Sequence, residues 1–116
     1  MTRTDLDQVF AALADPTRRR VIDLLREKPR RAGELASAFD MSPPAMSRHL
    51  RVLRTRGLVD EERAEHDARV RVFRLRHEPF RELQGWLDRV EAYWTDQLDA
   101  FKHYAEDKSG RKGGAG

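Results

Sequence analysis

Cysteine is absent from the 116 residues, which excludes a disulfide framework, a thiolate metal site and a thiol redox switch. Long apolar runs are absent as well. The longest, Val9 to Ala14, is six residues, against the ~20 that a membrane helix needs. No basic-then-apolar leader precedes it, so a soluble, cytoplasmic protein without membrane partners is expected. Glycine is sparse and forms no phosphate-cradling loop, and no His-x-x-x-His pair occurs, so an enzyme is not expected. Hydrophobic residues make up only 39% and aromatic residues 8%, against 37% charged. A chain of this length is one domain with a modest core, and a small domain leaves roughly a third of its unfolded surface exposed. That balance suits a helical domain that gains apolar burial by pairing with a second copy.

What is present in abundance is charge, unevenly placed. The net charge is +3, but residues 42–77 carry nine basic groups, all arginine, against five acidic ones. Residues 78–107 reverse the sign, with three basic and eight acidic groups. A basic middle beside an acidic end points to a polyanion on one face and solvent on another. Heavy use of arginine on solvated faces would give the same totals, so charge alone leaves both readings open.

Periodicity orders the elements. Thr4 can cap a first helix with Leu6, Val9, Phe10 and Leu13 on one stripe. Asp15-Pro16 stops it and opens a second, in which Val21, Ile22, Leu24 and Leu25 turn inward before Pro29. A short third helix lies near 32–39, and Asp40-Met41-Ser42 forms a tight turn. Ser42-Pro43 repeats the cap-then-proline signal for a fourth helix, with Met46, Leu50 and Leu53 inward and Gly57 as its stop. The period then falls to two: Leu58 to Ala64 and Arg69 to Arg76 read as strands around Glu65-His66-Asp67-Ala68. Pro79 opens a last helix to about Asp107, followed by a flexible basic tail over 108–116. The expected domain is therefore 1–107, mainly α with a small β-hairpin, in the order α-α-α-α-β-β-α.

Two short helices around a tight turn, the second rich in arginine, followed by a basic hairpin, describe a winged helix-turn-helix. A helix about 10–12 Å across fits the major groove of B-DNA, where its outward side chains meet base edges. On the fourth helix the face opposite the core shows Pro44, Ala45, Ser47, Arg48, Arg51 and Thr55. Ser47 and Arg48 lie in its N-terminal half, the part usually presented to bases. In the hairpin, Arg63, His66, Arg69 and Arg71 suit phosphates or an adjacent minor groove. Double-stranded operator DNA is the expected partner.

At these residues a family resemblance appears. The run from Ala12 to Leu25, ALADPTRRRVIDLL, resembles the opening signature of the ArsR/SmtB family of bacterial winged-helix repressors. Glu34-Leu35-Ala36, the run Ser47 to Leu53 and Arg56-Gly57-Leu58-Val59 are similar to its reading-helix block, and Val72-Phe73-Arg74-Leu75 to the end of its wing. The resemblance spans 5–106 in four ordered blocks. It implies a homodimeric repressor on a two-fold operator, often with an inducer, whose identity it does not supply. It also implies DNA contacts at Ser42, Pro43, Pro44, Ser47 and Arg48; the two prolines stand where polar side chains are common in the family.

Metal sensing is the family's best-known activity, and the residues for it are missing here. The third-helix stretch Gly33 to Phe39 holds no thiolate. His103 and Glu106 match half of a second family site, but the positions eleven and thirteen residues upstream of His103 are Ala92 and Val90, which cannot ligate. No cofactor is expected. The aromatic last helix resembles instead the subgroup of metal-independent autorepressors. Leu6, Phe10, Trp86, Leu87, Val90, Trp94, Leu98 and Phe101 are the expected dimer seam. His49 suits phosphate contact or packing equally; His66 is more simply a turn residue. Arg18, Arg19 and Arg20 could clamp phosphate, but nearby Asp15 or Asp23 offers a simpler pairing. The rival readings are a winged-helix module for protein–protein contact, or a metal sensor using another site. Nine arginines in the reading-helix and wing region argue for DNA, since arginine forks onto guanine or phosphate.

Overall fold

Side-chain oxygens open three of the helices. The computed structural model describes residues 5–115, with side chains as far as Lys108. Asp5 caps α1 (Leu6–Leu13), its carboxylate accepting from the Asp7 N–H at 2.9 Å; Thr4, the expected cap, lies outside the described residues. Asp15 caps α2 (Pro16–Leu25) through the Arg18 N–H at 3.0 Å, with Pro16 at the first helical position, where its missing N–H costs nothing. After α3 (Ala32–Ala38), Ser42 caps α4 (Pro43–Thr55) through the Ala45 N–H at 3.3 Å.

The two helices of the helix-turn-helix end alike. At the close of α3, Met41 N–H donates to Ala36 C=O at 2.9 Å and Asp40 N–H to Ser37 C=O at 3.1 Å. At the close of α4, Leu58 donates to Leu53 at 2.9 Å and Gly57 to Arg54 at 3.0 Å. Both are Schellman pairs, which need a left-handed residue just past the helix. Gly57 supplies it with φ 86° and Asp40 with φ 50°, a conformation aspartate tolerates better than most side chains. These two turns fix the entry and exit of α4.

The hairpin is shorter than its alternating pattern predicts. β2 (Val59–Arg63) and β3 (Arg71–Leu75) pair antiparallel, with Glu61 opposite Phe73 and Arg63 opposite Arg71. Arg69, expected in the second strand, lies in the loop 64–70, because a turn held by Asp67 draws it out of the ladder. A third strand was not expected: β1 (Arg30–Arg31) pairs with β3, so the sheet runs β1-β3-β2. Two residues are too few to show a period.

The core gathers Val9, Val21, Leu25, Leu35, Met46, Leu50, Leu53, Leu58, Val59 and Phe73. In α1 the buried pair is Val9 and Ala12; Leu6, Phe10 and Leu13 are turned partly outward, so the buried stripe is rotated from the expected one. Leu24 is half-buried rather than buried. The last helix, α5 (Glu78–Ala115), runs on past Asp107, so its backbone is helical over most of the stretch expected as a tail. The chain divides into two compact units, one ending at Leu83 and the other beginning at Gln84. Phe80 and Leu83, in the first unit, pack against the core. In the second, Leu87, Tyr93, Trp94, Leu98, Phe101 and Tyr104 are exposed. Among the described residues no helix is long and apolar enough to cross a membrane.

Candidate nucleic-acid interface

Burial of Met46, Leu50 and Leu53 at helical spacing fixes which way α4 faces. Arg48, Arg51 and Thr55 are left exposed on the opposite side, with Ser42, Pro43 and Pro44 exposed at the N-terminal end. Within the described residues Arg48 and Arg51 make no hydrogen bond, ion pair or ring contact. Two permanently charged guanidiniums are therefore held in solvent on the outward surface of α4.

Other arginines are committed to partners of the same chain. Arg18 Nε donates to Ala12 C=O at 2.7 Å and its Nη2 to Ala11 C=O at 3.2 Å. Arg19 Nη1 reaches Leu13 C=O at 2.7 Å. The pair closes the open carbonyl end of α1, a use that neither the phosphate clamp nor the carboxylate pairing anticipated. The guanidinium of Arg20 lies 4.9 Å from the centroid of the Phe39 ring. The Asp15 carboxyl is held below its ordinary range, chiefly by the Arg18 N–H, with His49 and the Arg18 charge adding to it against a desolvation penalty.

His49 is not brought to the outward face. One step of 100° past Arg48 turns it toward α2, where Nδ1 sits 3.8 Å from Asp15 Oδ2. At the wing tip, Asp67 Oδ1 accepts from the Arg69 N–H at 3.0 Å, an Asx-turn. The Arg69 guanidinium doubles back onto the same carboxylate at 3.1 and 3.2 Å. Those bonds hold the Asp67 carboxyl below its ordinary range. His66 is exposed at the tip.

Between helix and wing lies a cluster around one carboxylate. Glu61 is 20% exposed, with Arg71 at 3.5 Å and Arg54 and Arg63 each at 3.9 Å. Arg71 Nη2 also donates to Ser47 Oγ at 2.9 Å, and its guanidinium lies 5.4 Å from the Phe73 ring centroid. Of the expected wing contacts, Arg63 and Arg69 are exposed while Arg71 is half-buried against α4. Sequence reasoning missed Glu61 and Arg54. The register carries the signal for Glu61: Arg63 stands directly opposite Arg71, and like charges so placed need a counter-charge.

Comparison with known proteins agrees with this geometry. The profile of the "Bacterial regulatory protein, arsR family" matches residues 15–61, from the cap of α2 into β2. The HTH-type transcriptional regulator Rv2034 of Mycobacterium tuberculosis is 38% identical over 95 residues, 82% of this chain and 83% of that one. This chain belongs to the ArsR family. As an ArsR-family protein it is a DNA-binding transcriptional regulator rather than an enzyme. The transcriptional repressor SdpR of Bacillus subtilis is 38% identical over 58 residues, which cover 50% of this ArsR-family chain and 64% of SdpR. Among solved structures, an ArsR-like transcriptional regulator from Rhodococcus sp. RHA1 superposes with a TM-score of 0.71 at 31% identity, covering 88% of this chain and 91% of its own.

Proposed function

We propose that this ArsR-family regulator is a homodimeric repressor that binds an inverted-repeat operator and does not respond to metal ions. The observation that carries the reading is the pair Arg48 and Arg51, exposed and without partners among the described residues, on the outward face of α4. Each subunit lays α4 in a major groove, with Ser42, Pro43 and Pro44 at the groove edge. The wing, through Arg63, Arg69 and His66, follows the backbone. A repressor's role is supported by the likeness to SdpR, which carries that description. Pairing of two copies is supported by the exposed apolar side chains of α5, and independence from metals by the missing thiolates and by Val90 and Ala92.

The test is selection of bound sequences from a random duplex library, followed by a salt titration on the selected duplex. An inverted repeat is expected, with half-sites about one or two helical turns apart. If a dimer makes about 6–10 phosphate contacts, affinity falls about 10³–10⁵-fold between 50 and 200 mM salt. Zinc, cobalt, nickel and cadmium should leave the complex intact. A library that yields no enriched sequence, or release of the DNA by one of those ions, overturns the corresponding part of the reading.

A further inference from the structure

The Ser47–Arg71–Glu61 chain has a chemical consequence for what α4 can read. Arginine is a donor only and stays charged, so in its 2.9 Å bond with Arg71 the Ser47 Oγ is the acceptor. The hydroxyl hydrogen is then left to be donated; one lone pair also remains, but accepting from a charged donor polarises the O–H and makes it a better donor and a poorer acceptor. A mid-helix serine often gives it to the carbonyl four residues back, here Pro43, but no such bond is made, and Ser47 donates to nothing among the described residues. Arg71 in turn is anchored by Glu61 at 3.5 Å and by the Phe73 ring. Arg63, Arg71 and Glu61 share one face of the hairpin, since residues in register point the same way. Without Glu61 the opposed Arg63 and Arg71 would repel, and Arg71 would lose the contact that turns its fork toward α4.

We propose that Glu61, through Arg71, biases Ser47 toward donating, so that it favours a hydrogen-bond acceptor on a base edge in the major groove. Glu61 is thus a positioning residue for sequence discrimination, although it carries the sign of the DNA itself. This rests on α4 lying in the major groove, as proposed above. Guanine, adenine and thymine each present an acceptor there, whereas cytosine presents only its amino donor. Ser47 therefore disfavours cytosine at one strand position of each half-site, by at most about three- to tenfold, the worth of one neutral hydrogen bond.

The experiment compares the full-length protein with its Ser47→Ala, Glu61→Ala and Glu61→Gln variants on the duplex that the wild type selects from a random library. Duplexes changed at single base pairs and a scrambled duplex complete the set, with a thermal melt of each variant as the control for folding. Wild type should disfavour cytosine at one position, and Ser47→Ala should lose that bias alone. Both Glu61 variants remove one negative charge and should bind scrambled DNA more tightly. Only Glu61→Gln keeps an oxygen acceptor for Arg71, so it should retain the bias against cytosine while Glu61→Ala loses it. In the Ser47→Ala background Glu61→Ala should change the preference no further. Uniform weakening of all duplexes by Ser47→Ala would assign the hydroxyl to a phosphate and overturn the proposal. Identical behaviour of the two Glu61 variants would reduce Glu61 to bulk charge and overturn it too. If the wild type enriches an inverted repeat but Ser47→Ala keeps every preference, this inference fails alone. If nothing is enriched, the operator reading fails with it.

Discussion

Arg18 and Arg48 carry the same side chain in opposite surroundings, the first bonded within the fold and the second open to solvent. Arg18 donates two bonds to the carbonyl end of α1, and bonds made by a charged donor are worth about 1.5–3 kcal/mol. Arg18→Ala should therefore lower stability by about 1–2 kcal/mol in denaturant unfolding. Arg48→Ala should leave stability within about 0.5 kcal/mol while costing about 1–3 kcal/mol of operator binding per half-site and relaxing one base position. A destabilised Arg48→Ala variant with intact discrimination would reverse the assignment. None of this separation was legible in Arg18-Arg19-Arg20, because a partner reached through the fold leaves no mark on local sequence. The cap at Asp15 was legible, since aspartate before proline has a local meaning. Its carboxyl is depressed below the ordinary value by the Arg18 N–H first of all. The charged cap therefore stabilises the fold fully above the unfolded value of about 3.9, and that contribution is lost as pH falls through the lower folded value. Asp15→Asn keeps a capping oxygen but cannot titrate. The stability advantage of wild type over Asp15→Asn should shrink as pH drops below about 4, which melts at stepped pH between 2 and 6 would measure; a constant difference would contradict it.

Elements whose signals are local were the ones read correctly. Ser42-Pro43 and Gly57 bracket α4 as expected, and Met46, Leu50 and Leu53 form the buried face that their spacing predicts, which sets the outward one. The missed β1 depends on Arg30 and Arg31 meeting Phe73 and Val72 across about forty residues of sequence, a pairing that a two-residue strand cannot announce. The wing shows both cases at once. Its existence followed from alternation, but its length did not, because the Asx-turn at Asp67 takes Arg69 into the loop. There Arg69 is 91% exposed, and an ion pair so open to solvent is weak, so the guanidinium can leave Asp67 for a phosphate. Arg69→Ala should weaken operator and scrambled duplex by similar factors and flatten the salt dependence by about one unit per lost contact. Arg71→Ala should behave differently, losing discrimination as well, since its side chain is committed to Ser47. Equal effects from the two substitutions would mean that the hairpin acts only as a charged rod.

For the molecule as a whole, the unresolved balance lies in α5. Leu98 and Phe101 are 62% and 70% exposed, and Trp94 is 60% exposed, while the same helix bears the acidic charges of residues 78–107. A chain with so few apolar residues does not ordinarily leave its largest ones in water along a helix stripe. Covering each is worth about 1.5–3 kcal/mol, so a handful together exceed what keeps a micromolar complex associated, about 8 kcal/mol, before ordering costs are subtracted. A two-fold pairing covers the same stripe on both copies at once and gives two α4 helices the symmetry of an inverted repeat. In the proposed dimer, pairing and operator recognition are therefore coupled. Phe101→Glu or Trp94→Glu should shift the protein toward monomer in sedimentation at micromolar concentration. The same variants should lose operator affinity with α4 and the wing untouched, and they should keep the melting behaviour of the unit that ends at Leu83. A wild-type protein that sediments as a folded monomer at that concentration would break the link, and with it the expectation that half-sites come in inverted pairs.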